Sequence, residues 1–396
     1  MYRSIVLICI GILFSQFSSF AEGWYPGRLL VKPKAGVTSV QLDSPHKTCG
    51  TSLKTLIMAG DEPWQVVEFS PLESVPDKAR EYIKSGLVED VCPDHLVRPA
   101  IAPCMPNDPD TLNTTRSWHI PKISAPSAWD TIHDAGDVII AIVDSGARYT
   151  HEDLVDNLWV NSREIPNDGI DNDRNGYIDD VYGINVSNDG RKAGDPMDTD
   201  GHGTHVTGLA GATGNNGKGV AGVAWKTQLM LCKFLNENSG TVSGAVQCMT
   251  YARKMGAKII NASWVVDTDN ALLKSEISSL QKAGILLICA AGNDGRNLDE
   301  KPSYPACYST SYKNIICVGN STSSDARAGN SNYSKTMVNL FAPGQSIWST
   351  YVSNDSRYGT MSGTSMATPQ VSGAAALYIQ QNPRLSYQDV KSKILA

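Results

Sequence analysis

The sequence predicts an α/β fold, a mostly parallel sheet with helices on both faces, preceded by a small α+β domain. Two apolar runs, residues 138–143 and 285–291, are typical of strands buried on both sides, as in a parallel sheet covered by helices. A polar side chain follows each run, Asp144 after the first and Asn293 after the second. Residues 363–377 begin with small side chains and become apolar, which predicts a buried helix.

Residues 1–21 have the pattern of a secretory signal peptide. A short basic start precedes an apolar core at 5–14, and Ser19 and Ala21 are small residues where a signal peptidase reads them. This core is too short to span a bilayer, and no other stretch is long and apolar enough. The sequence therefore predicts no membrane span and a secreted protein, located outside the cell, in the periplasm or at the cell surface.

Residues 22–105 contain the pattern of the small α+β domain. Strands are predicted at 27–36 and 64–69, a helix at 75–84 and a last strand at 89–91.

A Pro-rich stretch, residues 99–109, predicts the linker to a large domain at 106–396. Domains of these sizes are ordinary. The formal net charge of −6 provides no basic patch, so nucleic acid is not expected as a partner. We expect a monomer.

Three residues are candidates for chemistry. Asp144 ends a predicted strand, and sites in open α/β sheets gather at the carboxyl ends of strands. His202 lies between two glycines, which allow close approach by other groups. Ser365 lies among small residues at a predicted helix start, where negative charge is favoured.

Each candidate also has a plainer interpretation. Asp144 could cap a turn, and Ser365 could begin a tightly packed helix. His202 and His205 could instead be metal ligands on one face of a helix.

The motifs around these residues resemble the three active-site signatures of the subtilisin-like serine proteases. They are Asp-Ser-Gly at 144–146, His-Gly-Thr-His-Val-x-Gly at 202–208 and Gly-Thr-Ser-Met-Ala-x-Pro at 363–369. They occur in the subtilisin order, and the similarity extends from about Trp118 to the C-terminus.

This resemblance implies cleavage of polypeptide substrates with no cofactor for the chemistry. Ser365 would attack the scissile carbonyl, His202 would move the proton, and Asp144 would orient the imidazole. His205 would be structural. Asn293 matches the family's oxyanion-binding asparagine, although a turn residue is the alternative.

The resemblance also implies that substrate lies as an extended strand between two enzyme segments. The matching positions, with the first specificity pocket included, are Ser239, Gly240, Thr241, Ser263, Trp264, Val265, Ala290, Ala291, Gly292 and Ser303. Val265 departs from the family, which usually has glycine there, so the width of that pocket stays open. Ser303 matches the pocket floor and carries no charge, so a strong demand for Arg or Lys is not expected, although Asp299 and Glu300 are close in sequence.

The small N-terminal domain resembles the inhibitory propeptide of the same family. This implies an intramolecular inhibitor that keeps the active site closed and assists folding of a non-local parallel fold. A permanent accessory domain is the alternative. Two rival functions also remain, a catalytically inactive binding module of this fold and a serine esterase.

An acidic segment predicts structural calcium. Residues 164–200 contain ten acidic and three basic side chains. The first half of an EF-hand loop is resembled by the spacing of Asp171, Asp173 and Asn175, with Asp179 or Asp180 as a substitute for the closing ligand. Tyr182 replaces the closing glutamate, so a solvated acidic loop is the alternative. Resemblance to the family implies a second calcium site with Asp153 and the loop that contains Asn215.

Eight cysteines remain beyond Cys9, an even number that suits disulfides in an oxidising compartment. Possible pairs are Cys49 with Cys92 and Cys307 with Cys317. Cys232 and Cys289 lie in predicted strands and also fit core thiols. The connectivity stays open.

Overall fold

A computed structural model describes residues 24–59, 62–71, 73–95, 104–237 and 239–396. The chain divides into two compact units, Met1–Ile101 and Ala102–Ala396, which are described separately. The predicted signal peptide and part of the predicted linker lie outside the described residues, so the boundary at residue 105 stays a prediction.

The first unit is a four-stranded antiparallel sheet with two helices, in the strand order β2-β3-β1-β4. Its elements are β1 (Trp24–Pro33), α1 (Ser39–Thr48), β2 (Ser52–Ala59), β3 (Glu62–Glu68), α2 (Val75–Lys84) and β4 (Val88–His95). Leu29, Val67 and Tyr82 belong to its core. The sequence did not predict α1 or β2, because α1 contains a proline and β2 is exposed along its whole length.

The second unit contains a seven-stranded sheet whose paired strands are all parallel, in the order β11-β10-β9-β8-β5-β7-β6. The strands are β5 (Asp134–Asp144), β6 (Gly183–Asn185), β7 (Lys226–Lys233), β8 (Ile259–Ala262), β9 (Leu286–Ala290), β10 (Ile315–Ser321) and β11 (Leu340–Pro343). A separate antiparallel pair consists of β12 (Ile347–Thr350) and β13 (Tyr358–Met361). The predicted mostly parallel sheet is confirmed.

The helices of this unit are α3 (Pro109–Leu112), α4 (His119–Lys122), α5 (Ala125–Trp129), α6 (His202–Gly211), α7 (Val242–Lys254), α8 (Ala271–Lys282), α9 (Thr364–Gln381) and α10 (Tyr387–Ile394). Two short 3-10 turns are Val155–Asn157 and Ala306–Thr310. Within the described part of the chain, no helix combines the length and the apolar character needed to cross a membrane.

Strand β5 shows why its sequence is uniformly apolar. Ile140 and Ile142 belong to the hydrophobic cluster that contains residues of α6 and α9. Ala141 and Val143 belong to the other cluster, with residues of α7 and α8. Because successive strand residues point to opposite faces, a sheet covered by helices on both sides leaves no position for a polar side chain.

The strand order reverses at β5, which places a crevice at its carboxyl end. The chain adds β6 and β7 on one side of β5 and β8 to β11 on the other. In open α/β sheets, such a switch point is where ligands bind. Asp144 is the last residue of β5, so the topology puts this carboxylate at the crevice.

The eight described cysteines are free thiols in the structure. Cys317 on β10 lies opposite Cys289 on β9, and the hydrogen bond between these thiols, with burial, raises the pKa of Cys317. Burial and a hydrogen bond with Cys232 likewise raise the pKa of Cys248. Cys317 therefore has Cys289 as its neighbouring thiol in the sheet, and neither of the two pairs suggested by the sequence is bonded here.

Candidate active site

Asp144 and His202 are in direct contact although they are far apart in the sequence. Asp144 Oδ1 lies 2.7 Å from His202 Nδ1 and also accepts the backbone N–H of Ser145 at 2.8 Å. Asp144 is fully buried. A buried carboxylate is acceptor-only, so Nδ1 carries the proton and Nε2 is left as the basic nitrogen of the neutral ring.

Helix α6 begins at His202, and the turn before it is built by Asp198. One carboxylate oxygen of Asp198 accepts the N–H of Gly201 at 3.1 Å, and the other accepts the N–H and hydroxyl of Thr204 at 2.9 and 2.6 Å. Gly203 has to be glycine, because a Cβ there would lie 2.1 Å from the carbonyl oxygen of Gly146. Sequence reasoning missed Asp198, although an aspartate just before a helix start is a capping signal.

The electrostatics of the crevice favour the protonated form of His202. Burial by itself would lower the pKa of the imidazole, but the charge and hydrogen bond of Asp144 outweigh it, with help from Asp200 and Asp198. The pKa of His202 is therefore raised above 6.5. A general base of raised pKa is neutral, and able to accept a proton, only at higher pH.

Ser365 lies in the first turn of α9 and is mostly buried. Its Oγ donates to the backbone carbonyl of Ser263 at 3.0 Å. Among the described residues, no hydrogen bond joins Ser365 to His202. The hydroxyl must rotate away from Ser263 to reach Nε2, and hydrogen bonds of this kind commonly tighten only when substrate binds.

Asn293 contacts the residue just before Ser365. Its Oδ1 accepts the N–H of Thr364 at 2.8 Å and the Thr364 hydroxyl at 2.9 Å. These two bonds turn the amide so that Nδ2 is the group left to donate. A Cβ on Gly363 would come within 3.2 Å of Nδ2, so a glycine next to Thr364 keeps room beside the amide.

Asn332 supports the turn that carries Asn293. Its Nδ2 donates to the Ala291 carbonyl at 2.9 Å, and its Oδ1 accepts the N–H of Asp294 at 3.0 Å. Gly292 has a φ of +99°, and a Cβ there would lie 2.4 Å from Asn332 Nδ2. The sequence pattern did not indicate Asn332, because an asparagine in a sequence suggests a loop. The structure shows that this residue is fully buried.

Two of the three predicted substrate segments line one cavity of about 390 Å³, and the third, residues 290–292, does not line it. Ser239, Gly240 and Thr241 form one side, and Ser263, Trp264 and Val265 form another, with His202 at the edge. Ala290 ends β9, and Ala291 and Gly292 follow it directly. Ser303 is fully buried and does not line this cavity.

His205 is a packed structural residue. It is fully buried, its Nε2 lies 3.0 Å from the carbonyl oxygen of Ile347, and burial lowers its pKa to about 3. With Nε2 bonded to the backbone and the Nδ1 of His202 bonded to Asp144, the structure favours a structural His205 over a pair of metal ligands.

The acidic loop brings together a different set of carboxylates from the one its spacing suggested. Oxygens of Glu164, Asp173 and Asp180 lie within 4.8 Å of one another. Asp171 instead accepts the backbone N–H of Asn175 at 3.0 Å.

Two of the predicted ligands of this loop have local partners. Asn175 Nδ2 donates to Asp180 at 2.9 Å, and the backbone N–H of Asp179 donates to Glu164 at 3.1 Å. The loop thus turns Asp180, rather than Asp179, towards Asp173.

Asp153 lies in a second buried corner, next to the loop that carries the exposed Asn215. Asp153 Oδ1 accepts from Asn216 Nδ2 at 2.7 Å, and the N–H of Asn215 donates to Asp108 at 2.7 Å. Burial raises the pKa of Asp153 to about 6 and also raises the pKa of Asp108. The sequence did not indicate Asp108, whose contribution comes from the segment before α3.

With this geometry described, we compared the chain with known proteins. Residues 135–396 match the model of the Subtilase family. Thermitase from Thermoactinomyces vulgaris is 35% identical over 298 residues, covering 73% of this chain and 92% of thermitase. Halolysin from Haloferax mediterranei is 30% identical over 385 residues, covering 95% of this chain and 67% of halolysin. Subtilisin-like protease 1 from Plasmodium falciparum is 37% identical over 276 residues, covering 65% of this chain and 39% of that protein.

Solved structures show the same likeness. A protease from Pseudoalteromonas arctica matches with a TM-score of 0.59 and 27% identity, covering 73% of this chain and 91% of that one. A cold adapted subtilisin-like serine proteinase matches with a TM-score of 0.52 and 29% identity, covering 65% of this chain and 81% of that one.

The fold and these matches define a subtilisin-like α/β protein, as the sequence predicted. The chain belongs to the subtilase family, a family of serine endopeptidases. It spans about two fifths, 39%, of the length of the Plasmodium falciparum relative.

Proposed function

We propose that this chain is a serine endopeptidase that uses Asp144, His202 and Ser365, with Asn293 as the oxyanion donor. The observation that carries the proposal is the 2.7 Å contact between His202 Nδ1 and the buried carboxylate of Asp144. A neutral imidazole held this way presents Nε2 as a base towards the crevice. Membership of the subtilase family supports the same assignment.

In the proposed reaction, Ser365 Oγ gives its proton to His202 Nε2 and bonds to the carbonyl carbon. The negative charge on the carbonyl oxygen is stabilised by Asn293 Nδ2. The imidazolium of His202 then protonates the leaving amine as the C–N bond breaks, which leaves an acyl-enzyme. Water, deprotonated by His202, releases the acid and restores Ser365. Asp144 stays ionised and offsets the charge of the imidazolium.

The test of this proposal offers the purified chain two substrates, casein and a short-chain ester. Cleavage of casein supports the endopeptidase. Turnover of the ester without cleavage of casein favours a serine esterase, and no turnover of either by a correctly processed chain favours an inactive binding module.

We also propose that residues 1–21 export the chain and that residues 22–105 form an inhibitory propeptide. The apolar side chains exposed on β2 support a role in contacting another protein surface: Leu53, Leu56, Ile57 and Met58. A propeptide that covers its own enzyme would use such exposed apolar side chains.

N-terminal sequencing of the secreted, active protein checks this pair of proposals. We expect the first residue to lie in or near 99–109. The full segment should persist when Ser365 is replaced by alanine, if removal is autocatalytic. An active protein that begins at residue 22 would contradict the propeptide and favour a permanent accessory domain.

We propose that calcium binds the acidic loop through Glu164, Asp173 and Asp180, with a second ion near Asp153 and Asp108. Calcium takes oxygen ligands at about 2.3–2.6 Å, so ligands on opposite sides of one ion are about 5 Å apart. Oxygens of Glu164, Asp173 and Asp180 lie within 4.8 Å of one another, which fits that geometry. An ion there would also offset the negative charge of the three carboxylates. Of these, Asp173 forms an ion pair with Arg163 at 2.9 Å.

Removal of calcium should lower stability. An ion present at 100 times its Kd stabilises the folded state by about 2.7 kcal/mol, so a chelator should lower Tm by several degrees and speed self-digestion. Asp180→Asn should reduce the calcium-dependent rise in Tm, whereas Asp137→Asn, at an exposed position on β5, should not. A Tm that is the same in calcium and in chelator would contradict the proposal.

A further inference from the structure

Two segments leave neighbouring parallel strands side by side. Strands β8 and β9 pair with Ala262 opposite Cys289. The segment that begins at Ser263 follows β8, and the one that begins at Ala291 follows β9. They form two walls at the carboxyl edge of the sheet, next to the start of α9, since Ser263 accepts the hydroxyl of Ser365.

Val265 extends from the first wall towards the second. Trp264 packs edge-on against Phe234, with ring centres 5.3 Å apart, on the side of β7. Val265 lies on the other side, where its Cγ1 is 3.6 Å from the position that a Cβ on Gly292 would occupy. A side chain at position 292 would therefore touch this methyl, and because glycine has none, the 39% exposed valine projects into the gap between the walls.

The first wall is bonded to segments that follow the second wall in the chain. The backbone of Val266 pairs with that of Tyr304 through two hydrogen bonds of 2.8 Å. Asp267, whose side chain is mostly exposed, forms an ion pair with Arg296. The two backbone bonds fix the position of the residue next to Val265.

Ser303, which matches the floor of the first specificity pocket, carries no charge. Ser303 precedes Tyr304, is fully buried, and its hydroxyl has no hydrogen-bond partner among the described residues. Asp299 is exposed and accepts the hydroxyls of Ser334 and Thr336 at 3.0 and 3.2 Å. Glu300 is exposed and accepts from Asn297 at 3.1 Å. Neither carboxylate is directed to the floor.

We propose that Val265 restricts the pocket for the side chain before the scissile bond, so that the protein cleaves after short, uncharged residues. This inference rests on the proposed endopeptidase function. A bulky side chain would have to displace the branched side chain of Val265 from this gap, and overpacking of this kind is costly. A cationic side chain would find no carboxylate at the buried serine.

The experiment compares p-nitroanilide peptides that are identical except for Ala, Phe or Lys before the scissile bond. We expect kcat/KM for Ala to exceed that for Phe and for Lys by at least about tenfold, since one methylene of misfit is worth about 10- to 200-fold. Val265→Gly should raise the Phe-to-Ala ratio of kcat/KM by at least about tenfold. Val265→Thr, which keeps the branched shape, should keep the wild-type ratio.

Val160→Gly, at an exposed position away from both walls, is the control for a nonspecific loss of a valine. A wild-type preference for Phe or Lys, or an unchanged ratio in an active Val265→Gly protein, would overturn the inference. Loss of all peptide cleavage in the wild type would be a failure of the proposed function instead. If Val265→Gly does not fold, Val265→Ala provides the same comparison with a smaller expected shift.

Discussion

Replacement of Ser365 by alanine should reduce hydrolysis of casein by about 10⁴- to 10⁶-fold in kcat. The alanine removes the only atom that forms the covalent bond to the acyl group, while Asn293 and the substrate segments remain. The folded state should change little, because the hydroxyl makes one recorded hydrogen bond as donor, to the Ser263 carbonyl, worth about 1 kcal/mol. Casein cleavage and thermal unfolding, measured on the same preparation, check both parts.

Ser362→Ala is the matched control. Ser362 is exposed, lies three residues before Ser365, and accepts the backbone N–H of Ser346 at 2.8 Å. Its loss should leave kcat within a few-fold of wild type. Casein cleavage that survives in purified Ser365→Ala protein would refute Ser365 as the nucleophile.

Replacement of Asp144 by asparagine should lower kcat by about 10⁴-fold and shift the pH profile. The raised pKa of His202 predicts that wild-type kcat/KM falls as pH drops through a value above 6.5, because the base becomes protonated. Without the charge of Asp144, burial lowers the pKa of His202, so the residual activity should persist to lower pH. The asparagine amide would also favour the wrong tautomer of the His202 imidazole, which explains the large loss of kcat.

The measurement is kcat/KM against pH for the two proteins. Asp137→Asn, on the same strand but exposed, controls for the loss of a carboxylate and should keep the wild-type profile. An acid limb at the same pH in Asp144→Asn and in the wild type would show that another group controls the titration.

Much of the second unit could be predicted from local pattern. Residues 138–143 indicated a doubly buried strand because each of its two faces packs against a helical layer, which leaves only apolar positions. The same reasoning fails for β2, whose residues are all exposed, and for α1, which contains Pro45. An element with no buried face, such as β2, leaves no periodic signal in the sequence, whereas α1 buries Leu42 and His46 but contains a proline that argues against a helix.

Several residues that support the site were not predicted from the sequence. Asn332 and Asp108 act through hydrogen bonds to backbone groups that only the tertiary structure brings near them, whereas Asp198 acts on the helix start that directly follows it. In the acidic loop, the spacing suggested Asp171 and Asp173 and left Asp179 and Asp180 open, but the turn directs Asp171 to backbone N–H groups and assembles Asp173 and Asp180 with Glu164.

The sequence by itself determined the class of fold and which residues could carry the chemistry, because buried strands and strand-end motifs are local properties. The tertiary structure decided the contact between Asp144 and His202, the direction of the Ser365 hydroxyl towards Ser263, and the projection of Val265 towards Gly292. These are distances between residues far apart in the chain. They depend on strand register and on packing against a fixed backbone, which no local pattern contains.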